Sequence, residues 1–291
     1  MTDFIFHGFD AARGAALAAA YARDGYAIVR GVFGAGEIAR LAASVDQIHA
    51  EALAHGRSFR HGNLFYNLAP APAGAAAAPS VRMVQWPSYH QPMLDAIRTD
   101  RRIAAVLEPL IGGDLKQIIN QLHWKAQGPG ADFAWHQDSR FRKPHEAYRN
   151  LGESYVQTGL AIDPHVKASG AMRFVRGSHL RGHLDLDLGE EVLGREMADA
   201  ALQRVGLSTA DIVDLDLAPG DLALWSPYLV HGSGVNTSGH QRRFYINGYV
   251  CADDCDRGEW AFKGGKPVPL GPEQALVHYE QLRENPHPHY P

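Results

Sequence analysis

The stretch Asp132-Phe133-Ala134-Trp135-His136-Gln137-Asp138-Ser139 stands near the start of the β-prone half of the chain, and its reading decides the fold. In an extended segment residues i and i+2 face the same side, so His136 and Asp138 aim an imidazole and a carboxylate at one point. A His from a distant strand, His231, completes a set of two imidazoles and one carboxylate. Such a set leaves coordination positions open and is the donor pattern of non-heme Fe(II) oxygenases. Taken alone the triplet has a plainer reading, two polar residues on a surface strand, because the chain carries 16 His. The neighbouring Phe133, Trp135 and Phe141 favour a setting that excludes water.

Around this stretch, short β-prone runs at 115–124, 132–136, 155–163, 171–175, 213–217, 221–225, 228–230 and 243–250 are separated by Gly, Pro and Asp. That spacing predicts an antiparallel sandwich or barrel. Upstream, Asp10 and Gly25 bracket an Ala-rich helix over 10–24. A short buried strand follows at 26–29. A second helix runs from Gly34 to His55, with Ile38, Leu41, Val45, Ile48 and Leu53 near one face. A third helix is predicted over 90–111, ended by Gly112-Gly113. The expected division is a helical N-terminal part (about 10–112), a β core (about 115–250) and a tail (251–291), within one domain spanning 1–291. Residues 69–79 are Ala/Pro-rich and read as a mobile loop. Further helical segments are expected at about 190–205 and 272–284.

Composition narrows the function classes. With 291 residues, 45% hydrophobic and 21% charged, the chain has the make-up of a soluble globular protein with a sizeable core. A net charge of −4 and no long basic run disfavour nucleic acid and acidic membranes as partners. The two cysteines, Cys251 and Cys255, are too few for a four-cysteine zinc site and are expected as reduced thiols of a cytoplasmic protein. Met1-Thr2-Asp3-Phe4 lacks a basic region followed by an apolar run, so no secretory signal is expected. The Ala-rich stretch 15–20 is too short to cross a membrane. Monomer and homodimer both stay open.

The segment around the second His has its own logic. Pro219-Gly220-Asp221 is a turn, an apolar strand follows, and His231 arrives at a Gly-rich bend. Gly232 and Gly234, on either side of Ser233, would let backbone and a small hydroxyl approach a ligand closely. Arg242-Arg243 then offers a guanidinium able to grip a carboxylate through two parallel hydrogen bonds. Adjacent strand residues face opposite ways, so one of the two arginines enters the interior; periodicity does not say which.

With these motifs in order, the chain resembles the phytanoyl-CoA dioxygenase family of Fe(II)- and 2-oxoglutarate-dependent oxygenases. The resemblance rests on Trp135-His136-Gln137-Asp138, on Ser169-Gly170 through Gly177-Ser178-His179, on Pro219-Gly220-Asp221, and on His231-Gly232-Ser233-Gly234-Val235-Asn236 through Arg242. Asp24-Gly25-Tyr26 through Phe33 looks like the family's N-terminal segment. The resemblance implies a mainly β protein with flanking helices, its core a double-stranded β-helix of the jelly-roll, cupin-like kind. It implies His136, Asp138 and His231 as iron ligands and Ser233 and Arg242 as partners of the 2-oxoglutarate carboxylate, favouring Arg242 over Arg243. Lys125 or Gln121, on the preceding strand, is implied as a further cosubstrate contact. Gly177-Ser178-His179 is implied as a structural turn with a capping hydroxyl. Arg176 stands where the family usually has Pro. Halogenating relatives replace the carboxylate ligand by a small residue, so Asp138 points to hydroxylation.

The reaction so implied consumes O2 and 2-oxoglutarate, releases succinate and CO2, and hydroxylates an unactivated C–H bond of a small-molecule substrate. For that substrate the candidates are Arg140, with Arg142 and Lys143 beside it, and Gln157 and Arg173 on strands that could face the interior. A solvated loop is the plainer reading of the basic run. An alternative class is a metal-binding cupin-like protein with a non-oxidative, isomerase or binding, role.

Overall fold

The computed structural model describes residues 2–70, 79–128, 131–186, 197–275 and 280–291. Most of the Ala/Pro-rich stretch 69–79 lies outside them, as do much of the helical segment expected at 190–205 and part of that at 272–284; the helices described there are Ala200–Arg204 and Glu280–Glu284. The strands in chain order are β1 (Asp3–Ile5), β2 (Tyr26–Arg30), β3 (Phe59–His61), β4 (Leu64–Ala69), β5 (Ser80–Gln85), β6 (Leu115–Lys125), β7 (Phe133–His136) and β8 (Tyr155–Ala161). They continue as β9 (Met172–Val175), β10 (Ile212–Asp214), β11 (Leu222–Trp225), β12 (His231–Ser233), β13 (Arg242–Cys251), β14 (Glu259–Lys263) and β15 (Lys266–Pro267).

From β6 onward the chain alternates between two facing sheets. One contains the order β11-β8-β13-β6 and the other is β10-β9-β12-β7. This back-and-forth winding is the double-stranded β-helix. The larger sheet is extended past β11 by β2 and β1, and past β6 by β5, β4 and β3. Strand β13 is its axis, pairing Arg242 with Lys125 at one end and Val250 with Tyr155 towards the other.

Four helices cover the outer face of the larger sheet: α1 (Ala11–Asp24), α2 (Ala35–Ala54), α3 (Pro92–Arg98) and α4 (Arg101–Ile111). Asp10 accepts the Arg13 backbone N–H at 2.9 Å to start α1, and Gly25 closes it in the left-handed region at φ 83°. Leu17, Leu41, Val45 and Val106 pack with Val84, Leu122, Leu160 and Leu224. Each such buried aliphatic contributes roughly 1.5–3 kcal/mol. Between the sheets a second core gathers Tyr26, Phe174, Trp225 and Phe244.

The N-terminal part is not wholly helical: β3–β5 are a meander that widens the larger sheet. The helix expected over 90–111 is two helices. Thr99 Oγ1 donates to the Asp95 carbonyl at 2.8 Å, and the Asp100 side chain accepts the Arg102 N–H to begin the second helix. The run 228–230 is a turn, with strand β12 starting at His231. The expected tail contains β14, which pairs with β6, and β15.

The motif Pro219-Gly220-Asp221 ties the N-terminal strand to the core. Asp221 accepts the backbone N–H groups of Gly31 at 2.8 Å and Ala218 at 2.9 Å, and a guanidinium N–H of Arg30 at 2.8 Å. Gly220 has φ 95°, and a Cβ there would sit 2.1 Å from the Phe33 carbonyl oxygen.

Candidate active site

Strand β7 places His136 directly opposite His231 of β12, and their rings lie 4.2 Å apart, centroid to centroid. Gln137 is extended, with φ −118° and ψ 137°, so Asp138 returns to the side of His136. His136, Asp138 and His231 each present one ligand atom within 4.8 Å of the others, all three buried. Both imidazoles have Nδ1 against their own strand's backbone, His136 at 2.7 Å from the Ala134 carbonyl and His231 at 2.9 Å from that of Leu229. This fixes Nδ1 as the N–H and leaves Nε2 as the donor towards the centre. His231 Nε2 lies 3.7 Å from Asp138 Oδ2.

Burial, then the facing His231, pulls the His136 imidazole down to about 3, so it is neutral at ordinary pH. Burial by itself would raise the Asp138 carboxyl. The His231 and His136 rings, the Arg142 cation and the Trp225 N–H, which donates to Asp138 Oδ2 at 2.9 Å, outweigh it and hold the carboxyl below its usual range. Two imidazoles with Nε2 turned to the centre and one ionised carboxylate fit a divalent iron. Gln137 faces the other way and is a brace: its amide donates to the carbonyls of Gly182 and Tyr228 and accepts the Leu184 N–H.

The triad opens into a cavity of about 370 Å³ between the sheets. Along β13, Arg242, Phe244 and Ile246 line it at alternate positions. Arg242 is buried, and burial pulls its guanidinium down to about 9. Its Nε donates to the Ser169 carbonyl at 3.2 Å and its Nη2 to that of Gly170 at 3.0 Å, while Nη1 lies 3.1 Å from His165 Nδ1. Each terminal nitrogen keeps a further N–H for the bidentate grip a carboxylate takes. Gly170 permits this approach: a Cβ there would meet Lys125 Cε at 2.7 Å and the Gly234 carbonyl at 2.8 Å. Lys125 is buried behind Ser233, donating to its Oγ at 2.7 Å, and burial followed by the Arg242 charge pulls its ammonium down to about 7. Among the described residues neither cation has a carboxylate within ion-pair distance, which fits an incoming anion such as the 2-oxoglutarate carboxylate.

Gln121 lines the cavity and contacts His123 Nε2 at 3.1 Å. Gln157 lines it too, accepting a short hydrogen bond from the Tyr155 hydroxyl. Arg243 is turned to the outer face and paired with Asp163 and Asp46. Two sequence expectations are corrected. Arg173 lies on the far side of β9 from Met172, pairs with Asp214 at 2.7 Å and does not line the cavity. Arg140 lines a neighbouring groove with Gln137, Lys143 and His183, because the 3-10 turn Asp138–Phe141 sends successive side chains in different directions. Arg142, two residues on, does line the cavity and is buried. Trp225 and the wall residues Asn67, Met83 and Gln85 had no sequence signal beyond ordinary β patterning. Gly177-Ser178-His179 opens a 3-10 turn as a structural element, but the Ser178 hydroxyl does not cap it: it accepts the Val230 N–H at 2.8 Å, next to His231. His179 packs outside against the Ala22 carbonyl, remote from the triad.

A jelly roll with a buried His-x-Asp…His set between its sheets defines a cupin-like, metal-dependent oxygenase class. The phytanoyl-CoA dioxygenase (PhyH) family model matches residues 21–244, and the chain belongs to that family. It is an Fe(II)- and 2-oxoglutarate-dependent oxygenase. A probable alpha-ketoglutarate-dependent hypophosphite dioxygenase from Stutzerimonas stutzeri is 25% identical over 80% of this chain and 77% of its own. A 2-aminoethylphosphonate dioxygenase from the uncultured bacterium HF130_AEPn_1 is 26% identical over 48% of each chain. Among solved structures, the non-heme alpha-ketoglutarate-dependent epimerase SnoN of nogalamycin biosynthesis superposes with a TM-score of 0.61, at 24% identity over 94% of this chain and 98% of its own, a likeness of fold. Among the described residues no helix is long and apolar enough to cross a membrane.

Proposed function

We propose that the protein hydroxylates an unactivated C–H bond of a small molecule, with His136, Asp138 and His231 as the iron ligands, in a single domain spanning 1–291. The in-register meeting of His136 and His231, with Asp138 converging on them, carries this reading. When bound, Fe(II) with 2-oxoglutarate and O2 supplies the oxidising chemistry, with succinate and CO2 released. Arg242 and the Ser233 hydroxyl hold and orient the far carboxylate of 2-oxoglutarate, Lys125 braces Ser233 from behind, and Gln121 contacts the cosubstrate from the cavity wall. Phe133, Phe141 and Trp225 keep bulk water from the triad. Hypophosphite and 2-aminoethylphosphonate, the compounds in the relatives' names, are likewise small. The unpaired thiols of Cys251 and Cys255 suit a reducing, cytoplasmic setting.

The test is anaerobic addition of Fe(II) and 2-oxoglutarate to the purified protein. A weak visible charge-transfer band, lost in His136→Ala, is the expected result. Its absence in the wild-type protein would overturn the reading.

A further inference from the structure

We propose that His165 is a positioning residue for the cosubstrate: its imidazole holds Arg242 without neutralising it, so that the guanidinium meets the far carboxylate of 2-oxoglutarate charged and in a fixed orientation. This rests on the oxygenase reading and adds to it a residue that stands behind the carboxylate clamp.

Placement is the first argument. His165 lies on the loop between β8 and β9 and is fully buried. Its backbone is bonded to that of Leu217 in both directions, at 2.9 and 3.1 Å. Its ring packs on Phe244, 4.4 Å between centres, and its Nδ1 lies 3.1 Å from Arg242 Nη1. Arg242 and Phe244 both line the cavity, whereas His165 does not. It therefore acts on the cosubstrate through Arg242.

The second is the kind of partner the guanidinium has. One loop supplies the Ser169 carbonyl, the Gly170 carbonyl and the His165 ring. None of these is a carboxylate. The adjacent Arg243 shows the alternative, because Asp163 of the same loop pairs with it at 2.7 Å. A carboxylate at Arg242 would compete with the incoming anion. An imidazole orients the planar fork and leaves its charge in place.

The third is the protonation of the ring. Burial, then the Arg242 charge, holds the imidazole well below its usual range, so it is neutral. A neutral imidazole has one N–H and one lone pair. Both nitrogens face donors: Nε2 the Met172 backbone N–H at 2.9 Å, and Nδ1 the Arg242 cation. The cation has the stronger claim on the lone pair, because a charge-assisted bond is roughly twice as strong as a neutral one.

The experiment titrates the anaerobic Fe(II) protein with 2-oxoglutarate and with 2-oxopentanoate, which lacks the far carboxylate, reading the visible band. Asn, Leu and Asp have nearly one shape and differ in what they offer Arg242. His165→Asn keeps a neutral acceptor at the position of Nδ1, and its 2-oxoglutarate affinity should stay within about threefold of wild type. His165→Leu removes the acceptor and His165→Asp neutralises the guanidinium, so each should weaken 2-oxoglutarate binding by about tenfold or more. The affinity for 2-oxopentanoate and the rise in Tm on adding Fe(II) alone should stay unchanged in all three. If His165→Leu does not fold, the contrast between His165→Asn and His165→Asp carries the same conclusion. Wild-type 2-oxoglutarate affinity in the folded Leu or Asp variant, a loss in His165→Asn as large as theirs, or an equal loss of both 2-oxo acids overturns the proposal. A wild-type protein that shows no band with 2-oxoglutarate overturns the oxygenase reading instead, so the two failures are told apart.

Discussion

At the scale of single residues, the site is set by a few buried groups whose charge is controlled by burial. Trp225 shows how much lies outside the ligand set: its N–H holds one carboxylate oxygen of Asp138 at 2.9 Å. Trp225→Phe is expected to weaken Fe(II) binding about 10- to 100-fold, read by titrating the visible band, because the carboxylate loses its orienting partner. Lys125 gives a pH signature. Its folded-state pKa of about 7 lies below the ordinary lysine value, so at pH values between the two the unfolded chain carries a proton the folded chain lacks. The metal-free protein should therefore gain stability as pH rises from about 7 towards about 10, and Lys125→Met should remove this component from a series of denaturant titrations. An anion beside the ammonium favours its protonated form, so 2-oxoglutarate affinity should fall as pH rises through 7, with a flatter profile in the variant. Arg173, although on a core strand, is spent on Asp214; Arg173→Ala should leave 2-oxoglutarate affinity unchanged and cost at most about 1 kcal/mol.

At the scale of elements, the strands that carry the site depend on glycines where two walls meet. A Cβ on Gly159 of β8 would lie 2.2 Å from the Phe244 ring of β13. Gly159→Ala is expected to destabilise by about 1–3 kcal/mol in chemical denaturation and to raise the KM for 2-oxoglutarate, since Phe244 stands next but one to Arg242. The helical layer has local controls of its own. Asp100 starts α4 by accepting the Arg102 N–H, so Asp100→Ala should cost about 1 kcal/mol without affecting 2-oxoglutarate binding. The ends of α1 and α2 were legible in the sequence because capping is local chemistry. The break between α3 and α4 was not, because Thr99-Asp100 is compatible with a continuing helix until packing selects the cap. The β3–β5 meander was not legible for a similar reason: Leu64–Ala69 and Ser80–Gln85 pair with each other across the intervening stretch, and join the larger sheet through the pairing of β5 with β6.

At the scale of the whole molecule, two sheets hold a pair of buried cations and a ligand triad that have no net use until iron and an anion arrive. Ligand-free protein should thus be the less stable form. Saturating Fe(II) and 2-oxoglutarate at about 100 times their dissociation constants should each add roughly 2.7 kcal/mol, seen as a rise in Tm that a chelator reverses. A Tm indifferent to both would contradict the site.

The sequence by itself determined the candidate donor set and the order of its motifs, because residue type and i, i+2 sidedness are local properties of the chain. His136, Asp138, His231, Ser233 and Arg242 were all readable on that basis together with family likeness. Only the tertiary structure decided which arginines reach the cavity. Arg140, Arg142 and Arg173 are indistinguishable by composition, yet a 3-10 turn and the sidedness of β9 send one into the cavity and two elsewhere. The direction of a long side chain depends on the walls that strands distant in sequence build around it, and those walls exist only once both sheets have closed over the triad.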